Sequence, residues 1–210
     1  MKKIGGYFPY AELSGEPNHF LEHLTPDQGD LRYLMSGRCA IYYALMDFQK
    51  TDEKKVAYVP IYTCETVLAP FQKAGYELLF YDFDRNMIPV FDPAVLDRIS
   101  LISICGYYGF SGYDRDFVAE CSRRGIGIIE DTTHSVFSAD GVDPHCDYVV
   151  GSFRKWIGVA SGGFAIKQKG KFREEPLPPN EEHLTWRKAC ISLKDHYDQR
   201  SPEEKEQLQT

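Results

Sequence analysis

The chain has 210 residues, enough to bury a sizeable core as one large domain or two small ones. Its 24 Lys and Arg against 31 Asp and Glu leave a net charge of −7 without a basic stripe, which argues against nucleic-acid binding. No apolar run approaches a membrane span and Met1-Lys-Lys-Ile-Gly-Gly lacks the apolar region of a signal peptide, so a cytoplasmic protein off the membrane is expected.

Residues 1–35 are rich in Gly, Pro, His and Asp and read as an irregular arm with short elements. Ser36 is a good helix N-cap, because its side-chain oxygen can accept an orphan backbone N–H. Ile41, Ala44, Leu45 and Phe48 follow at helical spacing and predict a helix over about 37–49. A strand is predicted at 56–60, then a helix at 66–74 closed by Gly75. Pro70 inside that helix is expected to shift its start or kink it. Next come a strand at 77–81, a short helix at 93–99 with Pro in its first turn, and a strand at 101–105. A helix over 114–124 ends at Gly125, and strands are expected at 126–130, 148–153 and 163–167.

The strands are continuous apolar runs, the form parallel strands take when helices cover both faces. The predicted fold class is α/β, a mostly parallel sheet flanked by helices. No helix separates the last two strands, so one of them can be antiparallel. Residues 169–180 form a charged linker with three prolines, 181–197 a polar helix, and 201–210 an exposed helix end or disordered tail. The organisation read from this is an arm (1–35), an α/β domain (36–168) and a polar linker with a helical tail (169–210). The six cysteines form no C-x-x-C pair and read as free, buried thiols.

Chemistry concentrates where strands end, since ligands of open α/β sheets bind beyond their carboxyl ends. Asp131 ends the run Gly125-Ile-Gly-Ile-Ile-Glu-Asp131, and Lys155 ends Asp147-Tyr-Val-Val-Gly-Ser-Phe-Arg-Lys155. Taken singly, the first reads equally as a helix cap and the second as a solvated turn lysine. As a pair they suggest a pyridoxal-phosphate site, with the carboxylate holding the pyridine nitrogen protonated and the amine forming the internal Schiff base. Ser36-Gly37-Arg38-Cys39 opens a helix whose free N–H groups suit a phosphate, although any capped helix start looks the same. His134 has no second histidine at ligand spacing, so no metal site is expected. Dinucleotide and P-loop fingerprints are absent, and neighbouring Asp131, His134 and Ser135 lack the G-x-S-x-G turn of a triad.

Five stretches in order and spacing carry a resemblance: Ser36-Gly-Arg-Cys-Ala-Ile-Tyr-Tyr-Ala-Leu45, Val59-Pro-Ile-Tyr-Thr-Cys-Glu-Thr66, Ala74-Gly-Tyr-Glu-Leu-Leu-Phe-Tyr-Asp82, Ile129-Glu-Asp-Thr-Thr-His-Ser135, and Ser152-Phe-Arg-Lys-Trp156 with Gly162-Gly163. Over about 36–166 the chain resembles the DegT/DnrJ/EryC1/StrS family of sugar aminotransferases, fold-type-I pyridoxal-phosphate enzymes. The resemblance implies that Lys155 forms the internal Schiff base and shuttles a proton, and that Asp131 pairs with the pyridinium nitrogen. It implies that the Gly37, Arg38 and Cys39 backbone holds the phosphate with Ser152 as side-chain partner, and that His134 packs near the ring. It further implies a homodimer that moves an amino group from glutamate or glutamine to a keto-sugar nucleotide or similar acceptor.

Three departures stand beside the match. Ser152 lies three residues before the lysine where many relatives have five. Cys64 stands where the family places an aromatic over the ring, which leaves Tyr62, Tyr107 or Tyr108 for that role. Family members also run to nearly twice this length, with a small C-terminal domain lacking here, so a catalytically silent cofactor- or partner-binding domain is the alternative reading. A lyase or dehydratase on the same cofactor is disfavoured by Lys155, which such members often lack.

Overall fold

The computed structural model describes residues 8, 9 and 15–201. The segment read for a signal peptide and the tail over 202–210 lie outside the described residues. The elements in order are α1 (Phe20–Leu24), β1 (Asp30–Leu34), α2 (Gly37–Phe48), β2 (Val56–Pro60), α3 (Glu65–Lys73), β3 (Glu77–Phe83) and β4 (Pro89–Val90). They continue with β5 (Leu101–Cys105), α4 (Arg115–Arg123), β6 (Gly127–Asp131), β7 (Tyr148–Ser152), β8 (Gly163–Lys167) and α5 (Glu181–Asp198).

One eight-stranded sheet runs in the order β1-β8-β7-β6-β5-β2-β3-β4. Strands β3, β2, β5, β6 and β7 are mutually parallel, while β8, β1 and β4 run antiparallel to their neighbours. The α/β, mostly parallel reading therefore holds, and β8 is the antiparallel member of the last pair. Alternation along the strands feeds two cores. Ala57, Val59, Leu101, Ile129 and Val150 pack under α2 and α3, while Tyr58, Ile102, Ile104, Ile128 and Val149 pack on the α4 side.

The helices start where the sequence places their caps. Ser36 accepts the Cys39 amide at 3.3 Å, Asp114 the Phe117 amide at 3.1 Å, and Asn180 the His183 amide at 2.8 Å. Pro70 sits inside α3, which begins at Glu65, one residue before the predicted start. The helix expected over 93–99 is only a 3-10 turn, Pro93–Val95. Ser100 already donates its amide to Val56 O at 2.9 Å, so the chain is drawn into the sheet before a longer helix can form. Strand β3 extends two residues past its predicted end and pairs with β4, which the sequence did not suggest. The arm before Ser36 contributes β1, whose register pairs Asp30 with Lys167 and Leu34 with Gly163. All six cysteines are free, but only Cys121 and Cys146 are buried, and Cys39, Cys64 and Cys190 are exposed. Two of the exposed ones lie at helix starts, where apolar neighbours in sequence do not mean burial. No helix among the described residues is long and apolar enough to cross a membrane.

The first residues of the polar linker are fastened to the sheet. Phe172 is buried against Tyr43 and Tyr148, its amide donates to Asp30 at 2.9 Å, and the Arg173 amide donates to Asp47 at 2.9 Å. Asp47 also accepts from Lys167 Nζ at 2.6 Å and Tyr148 OH at 2.7 Å. Burial works to raise this carboxyl, but the bonds from Lys167, Arg173 and Tyr148 outweigh it and hold its pKa below the usual value. Asp47→Ala strands the Lys167 ammonium, and a loss of about 3 kcal/mol in urea melts at pH 7 is expected. Because the folded carboxyl is the stronger acid, its contribution is present above about pH 4 and fades as pH falls through the folded pKa. Melts of the two proteins should converge in acid.

Candidate functional site

Period-two alternation sets the direction of each residue at the end of β6. Ile128 faces α4 and Ile129 faces α2, so Glu130 points to the α4 side and Asp131 to the α2 side. Glu130 is fully buried and accepts from the Tyr113 hydroxyl at 2.9 Å and the Asp143 amide at 2.8 Å. It ties the strand to the following loop from behind. Asp131, 8% exposed, ends the strand between Cys105 and Val150. Its carboxylate accepts the Thr133 amide at 2.9 Å in a turn of the Asx type. Burial pushes the Asp131 carboxyl above the usual range, while the bonds from Thr133 and the charges of His134 and Lys155 act the other way.

Lys155 closes a 3-10 turn, Phe153–Lys155, that follows β7 directly. Its side chain is exposed, and its charge reaches both Asp131 and His134. Burial lowers the pKa of the His134 imidazole, with Asp131 opposing and Lys155 assisting. Three sequence-predicted residues thus share one electrostatic neighbourhood, although they come from two strands.

The start of α2 lies over the same strand ends, because its core residues Ala40, Ile41, Ala44 and Leu45 pack on the face that Asp131 joins. A Cβ on Gly37 would meet Ser152 Cβ at 3.1 Å and Thr133 Oγ1 at 3.6 Å. A Cβ on Gly163 would fall 2.3 Å from the Ser36 carbonyl, so only glycine lets β8 pass the helix start. The Gly37 and Arg38 amides have no acceptor within the helix and, with its dipole, favour an anion. The Cys39 amide is committed to Ser36 Oγ, which leaves two amides rather than three facing outward from this turn. The Arg38 side chain is exposed.

The aromatic candidates separate by depth. Tyr107 is the inner one, its ring 6.4 Å from His134 and 5.1 Å from Phe83, its hydroxyl donating to the Tyr62 carbonyl. Burial pushes its phenol pKa up, and the charges of Cys105 and Asp131 add to the rise. Tyr62 and Tyr108 are exposed and meet hydroxyl to hydroxyl at 3.3 Å. Tyr108 has φ +54° and Gly109 φ +95°, and the Phe110 amide donates to Tyr107 O at 2.9 Å, the signs of a type I′ turn. A tyrosine in the left-handed region is uncommon, and this one projects from the rim beside Asp131's strand.

Sequence reasoning passed over Thr133 and Trp156. Thr133 was legible as the second residue after an aspartate at a strand end, where Asx turns form. Trp156, directly after the lysine, donates its indole N–H to the Thr133 carbonyl at 2.8 Å. A polar cleft of about 320 Å³, lined by Phe48, Ser122, His145, Tyr148 and Lys169 among others, sits at the opposite end of β7 and takes no part in this arrangement. Among the described residues no cluster of His, Cys, Asp and Glu could hold a metal ion.

No family model matches the chain, and no curated protein matches it. Solved structures share its fold. Histidinol-phosphate aminotransferase from Clostridium acetobutylicum aligns with a TM-score of 0.58 at 11% identity, over 84% of this chain and 58% of the other. A serine palmitoyltransferase variant from S. paucimobilis, solved with a bound PLP–myriocin aldimine, aligns with a TM-score of 0.54 at 16% identity, over 90% and 54%. Sphingosine-1-phosphate lyase from Burkholderia pseudomallei aligns with a TM-score of 0.54 at 13% identity, over 67% and 38%. The architecture is that of the large domain of fold-type-I enzymes, and the chain spans between 38% and 58% of the length of these neighbours.

Proposed function

We propose that this chain binds pyridoxal 5'-phosphate at the carboxyl ends of β6 and β7 and belongs to an aminotransferase that carries an amino group between a small donor and a keto acceptor. The observation that carries the reading is the convergence of a helix N-terminus, a buried carboxylate and a lysine on one sheet end. The Cα of Gly37 looks onto Ser152 and Thr133, and the charge of Lys155 reaches Asp131 nearby. Neighbours that share the fold include pyridoxal-phosphate enzymes, which supports the choice of cofactor. The sequence resemblance supports a keto-sugar nucleotide as acceptor, glutamate or glutamine as donor, and a homodimer.

The residues fit the group. The Gly37 and Arg38 amides with the Ser152 hydroxyl are donors for a phosphate, as a helix start is suited to provide. Asp131 is raised above the usual carboxyl range by burial, so a cationic ring nitrogen is the partner that would relieve it. When bound, pyridoxal phosphate supplies a conjugated ring that takes up the electron pair left on the substrate carbon. Lys155 Nζ would be the amine that holds the group, and it would carry a proton to and from the substrate carbon. His134 and Tyr107 enclose the site on the β5 side, and Tyr107 is the best placed of the three tyrosines to lie by the ring.

The test is direct. The chain mixed with cofactor should develop an absorbance band at the visible edge, and borohydride should fix the cofactor on the peptide containing Lys155. Amino-group exchange with labelled glutamate or glutamine then separates turnover from binding. No band and no fixed adduct would end the proposal, and a fixed adduct without exchange would reduce it to cofactor binding.

A further inference from the structure

One side chain joins the lysine turn to the loop of the acid. The Trp156 amide donates to Phe153 O at 2.8 Å and closes the 3-10 turn that ends in Lys155. Its indole Nε1–H crosses to the β6 loop and donates to Thr133 O at 2.8 Å. On the far side of the same residue, the Thr133 amide donates to Asp131 Oδ1 at 2.9 Å. The indole is held in this direction by Phe137, whose ring meets it edge-on at 5.1 Å and 87°. Phe137 in turn contacts Phe20 of α1 and Phe153 of the lysine turn.

We propose that Trp156 is a positioning residue that sets Lys155 relative to Asp131 through the backbone of Thr133. This rests on the cofactor reading above. The lysine itself is exposed, and after Trp156 its loop runs through Gly158 and Gly162, with φ +127° at the latter. The Phe153 amide donates to Gly162 O at 2.8 Å within the loop, and the indole ties the turn across to the Asp131 loop. Indole is suited to this task, being donor-only and rigid, with two side-chain torsions and a large packing face. The Thr133 Oγ1 near Gly37 extends the same node to the helix start, so one residue borders the acid, the lysine turn and the anion cradle.

Two substitutions separate the hydrogen bond from the packing. Trp156→Phe keeps an aromatic ring against Phe137 and removes the donor. Phe137→Leu keeps the donor and thins the packing. The readouts are cofactor affinity from the visible band, the pH midpoint of that band, and the thermal melt without cofactor. Trp156→Phe should weaken affinity about tenfold, the scale of one intramolecular hydrogen bond, and move the pH midpoint. Phe137→Leu should lower the melt and leave the midpoint in place. A Trp156→Phe protein with the wild-type affinity and midpoint overturns the assignment, as does a Phe137→Leu protein whose midpoint moves equally.

Should Trp156→Phe fail to fold, the wild-type chain grown with 5-fluorotryptophan keeps the indole shape and alters the strength of the N–H donor. The other tryptophan, Trp186, is exposed on α5. An unchanged midpoint in that protein overturns the assignment in the same way. If the wild-type chain shows no band at all, the cofactor reading fails first and this inference falls with it.

Discussion

Lys155→Ala should abolish the borohydride-fixed adduct and the visible band together, while leaving the melt of the cofactor-free chain within about 0.5 kcal/mol of wild type. The two halves of this result follow from different observations. The lysine side chain is exposed, so its loss opens no cavity. On the proposed reading its role is chemical, and its charge reaches both Asp131 and His134. Peptide mapping after borohydride and a urea melt measure the two halves separately. An adduct that persists in the variant moves the amine elsewhere, with Arg154 excluded by chemistry because a guanidinium does not give up its proton.

Asp131→Asn should have the second largest effect, and of a different kind. Asparagine keeps the shape and the capacity to accept the Thr133 amide but cannot ionise. The adduct on Lys155 should still form, while turnover falls by about 10²–10³-fold, the usual cost of removing one preorganised electrostatic partner. The stability change should run in the opposite direction. Burial raises the Asp131 carboxyl above its unfolded value, so ionising it costs the fold stability. That cost is absent in acid, grows as pH rises from about 4 through the folded pKa, and stays constant above it. The variant should therefore match wild type in melts at pH 3 and exceed it at pH 7. Equal turnover in the two proteins would remove Asp131 from the chemistry. Equal stability at pH 7 would mean that the carboxyl is better solvated than its position in the sheet indicates.

Much of this was legible in the sequence because the strands are buried on both faces. An apolar run such as Gly127–Asp131 can be little else when turn residues bound it, and its last residue then falls on the ligand-binding edge. Ser36 announced α2 through ordinary capping chemistry. What stayed hidden depends on contacts distant in sequence. Strand β1 has no strong pattern of its own and exists because β8 offers an unpaired edge. The 3-10 turn at Pro93 is short because Ser100 is bonded to β2 across 44 residues. The Trp156–Thr133 bond spans 23 residues, and no spacing rule points to it. The cysteines misled for a related reason, since composition around Cys39 and Cys64 reports helix ends rather than depth.

The close approach of Gly163 to Ser36 has a consequence for motion. A helix start wedged against the penultimate, antiparallel strand of the sheet cannot drift on its own, so its amides inherit the small thermal amplitude of the sheet. A phosphate bound there, as proposed, would meet donors already in place and pay little ordering entropy.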